Sequence, residues 1–235
     1  MSKSIMITGA SRGIGWHAAH RFLTTDNGID ELILLARESD DFTTAVEKLN
    51  LSNPHAKKIH AYGVDLSDRA KVVGTMKDVM HNHGGVDILV NNAGFTAPAA
   101  IHQINFADFE RTISVNLYSP FTIVQELLHA GNTFELILNV ASTAGMNGRA
   151  GWLTYSASKA ALIAISEVMR EELAIYGTRV VCISPGRCAT DLRRTLAPEE
   201  DPTTIMQPEH VAAVMETLAS PTGRFIESQN LVVRL

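Results

Sequence analysis

Tyr155 and Lys159 are the pair of residues in this sequence whose types and spacing best suit acid–base chemistry. They are four residues apart in a segment whose apolar pattern predicts a helix, so both side chains lie on one helix face. A phenol has a pKa of about 10 and exchanges protons poorly at neutral pH, but a neighbouring ammonium favours the phenolate. The pair can therefore give a proton to a carbonyl oxygen or take one from an alcohol. Taken singly, each residue is more simply a packing tyrosine or a solvated lysine, so the interpretation depends on the surrounding pattern.

A glycine-rich loop near the N-terminus predicts a dinucleotide site. The first predicted strand, Ser4–Thr8, leads through this loop into a predicted helix. Glycines there allow a tight turn and a close approach to a pyrophosphate, and the helix N-terminus offers free N–H groups to that anion. A plain tight turn is the alternative. The cofactor-binding residues predicted here are Gly9, Ser11, Arg12, Gly13, Ile14 and Gly15.

The end of the second strand indicates which dinucleotide is bound. Folds that prefer NAD usually have an acidic residue at this strand end, which binds the ribose 2′-hydroxyl. Here the strand ends in Ala36 followed by Arg37, and Arg12 lies in the glycine loop. Two guanidiniums suit a 2′-phosphate, which predicts NADP(H) rather than NAD(H). In the alternative, Arg37 is a solvated charge and Glu38 binds the ribose.

Polar or small residues follow three further strands, where a parallel sheet meets its ligands. Asp65, followed by Leu66, could accept a hydrogen bond from the adenine amino group or could cap the next helix. Ser142 closes the fifth strand, and its hydroxyl can bind the substrate oxygen. The fourth strand is followed by a small polar segment that is either a ligand contact or a simple turn: Asn92, Ala93 and Gly94.

Strand and helix patterns alternate along the whole chain. This alternation predicts an α/β fold, a single domain over residues 1–235 with one doubly wound parallel sheet of about seven strands and helices on both faces. Thr195–Pro208 is rich in proline and acidic residues and is interpreted as a surface loop or a flap over a pocket. The predicted strands are Ser4–Thr8, Glu31–Ala36, Lys58–Val64, Asp87–Asn91, Phe134–Ala141, Arg179–Ser184 and Asn230–Arg234. The predicted helices are Gly13–Leu23, Asp41–Leu49, Ser67–His81, two within Phe106–His129, Trp152–Tyr176 and Pro208–Ala219.

Taken together, these motifs resemble those of the short-chain dehydrogenase/reductase family. The resemblance extends from Ile5 to about Thr190 and rests on the order and spacing of the glycine loop, Asn91–Gly94, Asn116, Ser142, Tyr155–Lys159 and Pro185-Gly186. It implies a Rossmann fold and a catalytic set of Ser142, Tyr155, Lys159 and Asn116, with Asn116 anchoring a water that relays protons to Lys159. It also implies that Tyr155 and Lys159 contact the cofactor, and that the nicotinamide is contacted by Pro185, Gly186, Cys188 and Thr190.

Two departures from the family pattern affect the expectations. Cys188 stands where an aliphatic residue is more common, although a backbone contact there tolerates the change. The segment after Thr190 is short, with about 16 residues before Gln207-Pro208, so we expect an open or incompletely covered pocket. The substrate pocket is expected to draw on Phe95–Ala100, Thr143–Leu153 and Arg187–Ile205, including Phe95, Met146, Trp152, Leu153, Leu192, Arg149, Arg187, Arg193 and Arg194.

Composition and charge argue against several other classes of protein. A net charge of −5 disfavours a nucleic-acid partner, and the absence of a long apolar run disfavours a membrane span or a signal peptide and predicts a cytoplasmic protein. Cys182 and Cys188 form neither a disulfide framework nor a metal pattern. The nine histidines show no converging carboxylate in the sequence, so no metal site is predicted.

The predicted function is therefore NADP(H)-dependent reduction of a small-molecule carbonyl to an alcohol, or the reverse. One alternative is a dinucleotide-binding redox sensor without turnover, which would tend to lose Tyr155 or Lys159. Another is an S-adenosylmethionine methyltransferase, which would have no use for that pair. The resemblance further implies a homodimer or homotetramer in which the predicted helices of Phe106–His129 and Trp152–Tyr176 pair across a two-fold axis.

Overall fold

The computed structural model describes residues 2–226 and 230–235. Its seven strands are β1 (Ser4–Thr8), β2 (Glu31–Ala36), β3 (Lys58–Gly63), β4 (Ile88–Asn91), β5 (Leu136–Val140), β6 (Arg179–Pro185) and β7 (Asn230–Val233). Its α-helices are α1 (Gly13–Thr24), α2 (Asp40–Leu51), α3 (Arg69–His83), α4 (Phe106–Ile113), α5 (Ser119–His129), α6 (Leu153–Leu173), α7 (Asp191–Leu196) and α8 (Pro208–Ala219).

All seven strands are parallel and form one sheet in the order β3-β2-β1-β4-β5-β6-β7. The chain first builds outward from β1 through β2 to β3, then crosses back and builds from β4 in the other direction. This reversal between β1 and β4 creates a crevice at the carboxyl ends of the strands, which is where ligands bind in such sheets. The predicted fold class is confirmed.

The central strands of the sheet are covered on both faces, because their side chains are mostly apolar on both sides. In β1, Ile5 and Ile7 face one apolar layer, formed largely by α1 and α8, whereas Met6 faces the other layer, formed by α3, α5 and α6. All three side chains are fully buried. None of the described helices is long and apolar enough to cross a membrane.

A chain of buried polar side chains interrupts the apolar interior. Asn91 in β4 pairs in register with Asn139 in β5, and the Asn91 Nδ2 donates to the Asn139 Oδ1 at 2.8 Å. The Asn139 Nδ2 donates in turn to the Ser166 Oγ in α6 at 2.9 Å. These bonds connect two central strands to the helix that carries Tyr155.

Element boundaries differ from the predictions by a few residues for identifiable reasons. The predicted helix Ser67–His81 begins at Arg69, because the Asp68 carboxylate caps it by accepting from the backbone N–H groups of Ala70 and Lys71. It ends at His83, because Gly84 takes a left-handed conformation with φ of 75°. The predicted helix Trp152–Tyr176 ends at Leu173 and continues as a 3₁₀ turn.

Candidate active site

A cleft of about 620 Å³ lies at the carboxyl edge of the sheet, beside the crossing between β1 and β4. The structure brings nearly all of the predicted site residues to its wall. Gly15 and Asn116 are the exceptions and lie behind the lining. The residues that line it are Gly9, Ser11, Arg12, Gly13, Ile14, Arg37, Asp65, Leu66, Asn92, Ala93, Gly94, Ser142, Tyr155, Lys159, Pro185, Gly186, Cys188 and Thr190.

The glycine loop is shaped by close packing as well as by its turn. A Cβ on Gly15 would lie 2.2 Å from the Gly9 carbonyl oxygen and 2.4 Å from the Asn92 Nδ2, so no larger residue fits there. Gly15 thus allows the loop to fold, rather than contacting a ligand. No side chain caps the N-terminus of α1 at Arg12, which leaves the N–H groups of the first turn available to an anion.

Thr8 and Asn92 connect this loop to the neighbouring strand end. The Thr8 Oγ1 accepts hydrogen bonds from the backbone N–H groups of Asn92 and Ala93, each at 3.0 Å. The Asn92 Nδ2 donates to the Thr8 carbonyl oxygen at 2.9 Å. The sequence placed Thr8 at the start of the glycine loop but gave it no role, and in the structure Thr8 is almost fully buried. Its position at the end of β1, where a parallel sheet meets its ligands, could have indicated this role.

Charged residues of both signs line the end of the cleft nearest β2. Arg12 lies beside two carboxylates: its Nε is 3.4 Å from the Asp191 Oδ2, and its Nη1 is 3.8 Å from the Asp41 Oδ2. Arg37 and Glu38 also line the cleft. The positive charge expected for a 2′-phosphate is therefore present, with acidic side chains close to Arg12.

Asp65 does not cap α3, because Asp68 does. Its Oδ1 instead accepts from the backbone N–H and the hydroxyl of Ser67, at 2.9 and 2.7 Å. Partial burial raises the pKa of Asp65, but the Ser67 hydrogen bonds and the positive charges of Arg111 and Arg37 outweigh it and lower the pKa overall. Asp65 is thus an ionised acceptor on the cleft wall.

Tyr155 and Ser142 converge from two elements. Tyr155 is the third residue of α6 and is 6% exposed, while Ser142 begins the turn after β5. Burial raises the pKa of Tyr155, opposed by a hydrogen bond with Ser142 and by the positive charge of Arg193. The close packing of this turn on α6 depends on Gly145, where a Cβ would lie 2.6 Å from the Lys159 carbonyl carbon.

Lys159 carries a buried amine at the base of the cleft. It is 3% exposed, and its Nζ donates to the Val140 carbonyl oxygen at 2.8 Å and lies 5.9 Å from the centre of the Tyr155 ring. Burial lowers the pKa of Lys159 to about 8. The sequence argument expected Lys159 to lower the pKa of Tyr155. In this structure burial dominates both groups, and the pKa of Tyr155 is raised.

Asn116 lies in a π-helical turn, Ser114–Tyr118, between α4 and α5. Its side chain makes three hydrogen bonds: Oδ1 accepts from the Phe95 N–H at 2.8 Å, and Nδ2 donates to the Phe95 carbonyl at 3.0 Å and to the Ser158 Oγ at 2.9 Å. These contacts fix the loop that follows β4 against α6. Asn116 is fully buried, so the main role of its side chain in this structure is to hold Phe95 and Ser158 together.

The segment Cys188–Met206, hereafter the flap, forms part of the cleft wall. It is closed at its base by the hydrogen bond from the Ala189 N–H to the Met206 carbonyl at 2.8 Å. Within it, α7 places Leu192 and Leu196 on the cleft wall. The short segment after Thr190 thus forms a helix, Asp191–Leu196, on the cleft wall, and the expectation of an open or incompletely covered pocket stays a prediction. Of the expected pocket residues, Met146, Leu153 and Arg194 are not part of the lining.

An ion-pair cluster connects the two halves of the flap to each other. Glu200 accepts from the Arg193 guanidinium, with 2.8 Å between Oε1 and Nη2, and from the Arg187 Nη1 at 3.3 Å. The Arg193 guanidinium also lies 5.4 Å from the centre of the Trp152 ring. Sequence reasoning missed Glu200, which lies 7 residues from Arg193 along the chain.

The remaining predicted cofactor contacts have structural roles as well. The Gly186 N–H donates to the Val233 carbonyl at 2.8 Å, which connects Pro185-Gly186 to β7. The Thr190 hydroxyl caps α7 by accepting from the Arg193 N–H. Burial raises the pKa of the Cys188 thiol to about 12, which makes it a poor nucleophile.

The sheet order, the glycine loop and the buried tyrosine–lysine pair define a Rossmann-type oxidoreductase. A sequence-family profile described as short chain dehydrogenase matches residues 3–201. This chain belongs to that family.

Individual relatives agree with this assignment. The 3-oxoacyl-(acyl-carrier-protein) reductase FabG of Chlamydia pneumoniae is 30% identical over 245 residues, covering 99% of this chain and 96% of the relative. A short-chain dehydrogenase from Burkholderia cenocepacia, solved in complex with NADP, has a TM-score of 0.86 at 25% identity, covering 98% of this chain and 96% of the other. A blue fluorescent protein from a metagenomic library, solved with NADPH, has a TM-score of 0.85 at 25% identity, with coverage of 98% and 96%.

Proposed function

We propose that this protein uses NADP(H) to reduce a small-molecule carbonyl to an alcohol, or to catalyse the reverse reaction. The proposal assigns Ser142, Tyr155, Lys159 and Asn116 to the active site. The observation that carries it is the meeting of Tyr155, Ser142 and Lys159 on one wall of a cleft that begins at the glycine loop.

The cleft suits a nicotinamide dinucleotide. Lys159 has three N–H donors and one acceptor among the described residues, the Val140 carbonyl. Its other donors suit ribose hydroxyls. The uncapped N-terminus of α1 suits the pyrophosphate, and Arg37 and Arg12 suit a 2′-phosphate. Two of the structural relatives are described as bound to NADP or NADPH, and such a cofactor supplies the hydride.

The residues of this chain supply the proton. Ser142 orients the substrate oxygen, and the Tyr155 hydroxyl donates its proton to that oxygen as the alcohol forms. Because burial raises the pKa of Tyr155, the phenol stays protonated at neutral pH and is ready to act as the acid in the reductive direction. Lys159 stabilises the phenolate that remains. We propose that a water on the backbone side of Asn116 returns a proton through Lys159.

The substrate class to test first is a 3-oxoacyl thioester. The printed name of the Chlamydia pneumoniae relative specifies this chemistry, and the flap side of the cleft combines apolar Leu192, Leu196 and Trp152 with Arg149 and Arg187. The apolar residues suit an acyl chain, and the two arginines suit the anionic carrier arm of a thioester.

Oxidation of NADPH in the presence of a panel of 3-oxoacyl thioesters, keto esters and aromatic ketones tests the proposal. Tyr155→Phe is expected to lower kcat by about 100- to 10,000-fold, the usual contribution of a general acid, with NADPH affinity nearly unchanged. Tyr176→Phe, which alters an exposed tyrosine, is the matched control. Tight NADPH binding without turnover of any carbonyl would favour a redox sensor, and activity of Tyr155→Phe within a few-fold of wild type would exclude the assignment.

A further inference from the structure

A second group of chemically capable side chains lies away from the cleft, on the β2–β3 side of the sheet. Glu31 is the first residue of β2, His60 is in β3 and His83 is the last residue of α3. None of the three lines the cleft. The sequence showed no carboxylate converging on the histidines. The structure corrects this, because the fold brings together residues that are up to 52 positions apart.

The three side chains point at one small volume. The His83 Nδ1 and the His60 Nε2 each lie 2.8 Å from the same carboxylate oxygen, the Glu31 Oε1. One ligand atom from each residue lies within 4.8 Å of the other two. Glu31 and His83 are almost fully buried, with side-chain exposures of 10% and 4%, while His60 is open on one side at 38%.

The hydrogen bonding of this cluster is incomplete. His83 and Glu31 form an aligned hydrogen bond. The His60 Nε2 is close to Glu31 but is not aligned for one, and it is a buried polar atom without a hydrogen-bond partner among the described residues. Unpaired buried nitrogens are rare and need an explanation. An ion that accepts the ring lone pair is one.

A further pair of side chains orients His83. The Tyr62 hydroxyl lies 2.8 Å from the His83 Nε2, and the Asn82 Nδ2 donates to the same hydroxyl oxygen at 3.2 Å. Histidines that bind metals usually donate their other ring N–H to such a partner, which fixes the tautomer. In the metal-free structure the Nδ1–H of His83 donates to Glu31. When an ion binds, Nδ1 would lose this proton to solvent and the Nε2–H would donate to the Tyr62 oxygen, which leaves the Nδ1 lone pair for the ion.

We propose that Glu31, His60 and His83 bind a divalent transition-metal ion, for which Zn²⁺ is the best fit. Two imidazole nitrogens and one carboxylate oxygen form a common three-ligand set for zinc, with a water as the fourth ligand. Zinc bonds of about 2.0–2.2 Å separate tetrahedral ligands by roughly 3.3 Å, so small side-chain movements suffice.

The site has a structural role rather than a part in the reaction. It joins the edge strand β3 to β2 and to the end of α3, at the end of β2 opposite Ala36 and Arg37 of the cleft. The ligands are brought together by folding, so a bound ion stabilises the native state in proportion to its affinity.

Thermal unfolding of the metal-free protein, with and without Zn²⁺, tests the site. At a free Zn²⁺ concentration about 100-fold above Kd, we expect the Tm to rise by roughly 5–10 °C. Titration calorimetry should give one equivalent bound. His60→Gln and His83→Gln should each lose the Zn²⁺-dependent rise relative to their own metal-free Tm, which separates loss of binding from loss of stability.

His81→Gln is the matched control, because His81 lies in the same helix turn, is exposed and is not in the cluster. It should bind Zn²⁺ as the wild type does, and Mg²⁺ should not raise the Tm of any of these proteins. Absence of a Zn²⁺ effect in the wild type, its survival in both cluster variants, or its loss in His81→Gln would each overturn the proposal. None of these results depends on turnover, so they leave the proposed reaction unaffected.

Discussion

The burial of Lys159 costs the folded protein free energy. Its pKa falls from an ordinary 10.5 to about 8 because the side chain is buried, so folding disfavours the charged form. Below pH 8 both the folded and the unfolded chain carry the proton, and the full cost applies. Between pH 8 and 10.5 the unfolded chain holds more protons, so stability rises with pH, and above 10.5 the cost is gone.

Lys159→Met should therefore raise the free energy of unfolding at pH 7. The difference between 10.5 and about 8 sets an upper limit of about 3 kcal/mol, at about 1.4 kcal/mol for each pKa unit. The gain should shrink at pH 10, where the wild-type lysine no longer bears the full cost. Urea unfolding at both pH values measures this. Lys71→Met, at an exposed site, should show no gain, and a Lys159→Met protein less stable than wild type at pH 7 would refute the argument.

Arg37 should determine the choice of cofactor. A charge-assisted hydrogen bond to a 2′-phosphate contributes about 1.5–3 kcal/mol, or roughly 10- to 100-fold in affinity. Arg12 adds less, because Asp191 and Asp41 already lie beside it. We expect kcat/KM to favour NADPH over NADH by about that factor, to do so less at high salt, and to reverse in Arg37→Asp.

Lys48→Asp makes the same charge change on α2, outside the cleft lining, and should leave the cofactor ratio unaltered. Equal use of NADH and NADPH by the wild type would mean that Arg37 points to solvent. Either result is read from the ratio of kcat/KM values, which does not depend on the absolute rate.

Functional residues whose partners lie nearby in the sequence could be identified from the sequence. Residues whose partners lie far along the chain could not. Tyr155 and Lys159 are one helical turn apart, and the glycine loop is continuous, so local spacing was sufficient to identify them. Thr8 works through Asn92 and Ala93, about 85 residues away. Such pairings arise from strand order, which no local pattern specifies.

Within the flap, Glu200 is the carboxylate that pairs with both Arg187 and Arg193. Arg193 and Glu200 are both largely buried, with side-chain exposures of 15% and 16%, so their pairing is not weakened as an exposed pair would be. Breaking a pair of this kind costs more than losing a surface ion pair. Glu200 is therefore expected to keep α7 attached to the second half of the flap and so to preserve the folded arrangement of the flap.

Glu200→Gln should open the flap more often. A loss of about 1–2 kcal/mol corresponds to a roughly 5- to 30-fold larger open population, and limited trypsin digestion should cleave after the exposed Arg194 faster by that factor. Glu199→Gln, the neighbouring carboxylate, should digest at the wild-type rate. Equal digestion of all three proteins would show that the ion pairs do not hold the flap.

At the scale of strands and helices, the sequence predicted most of the architecture. Every predicted strand is present, with ends shifted by up to two residues. Most of the strands are buried, and buried parallel strands are apolar runs that local composition reveals, whereas β3 and β7 are partly exposed. Helix α7 was missed: its six residues are too few for a helical period to be visible, and the Thr190 cap alone was read as a ligand contact. The π turn at Asn116 was missed for a related reason, since it lies inside a continuous helical pattern.

On the surface of the whole molecule, apolar side chains are exposed on α5, on α6 and in the turn just before α5. Tyr118 and Phe121 are 57% and 46% exposed, and Val168 is 55% exposed. Exposed apolar surface of this kind is typical of a site of association. We propose that these helices pair between copies of the chain in a homodimer or homotetramer.

The double variant Phe121→Asp with Val168→Asp should dissociate this assembly, because it places four carboxylates in the contact of each pair. Light scattering at micromolar concentration should give a multiple of 25.5 kDa for the wild type and the single mass for the variant. Leu51→Asp changes a residue that is 89% exposed on α2 and should leave the mass of the assembly unchanged. A monomeric wild type would refute the proposal.

The buried amides of Asn91 and Asn139 have a consequence for the register between β4 and β5. A slip of one residue between two strands turns every side chain to the opposite face, and here it would place an amide against a hydrocarbon side chain. The pair thus fixes the register between β4 and β5. The loops that follow these two strands carry Gly94 and Ser142. Replacing both asparagines with leucine would remove polar groups from the interior, yet it would also remove the hydrogen bond that favours this register of the two strands.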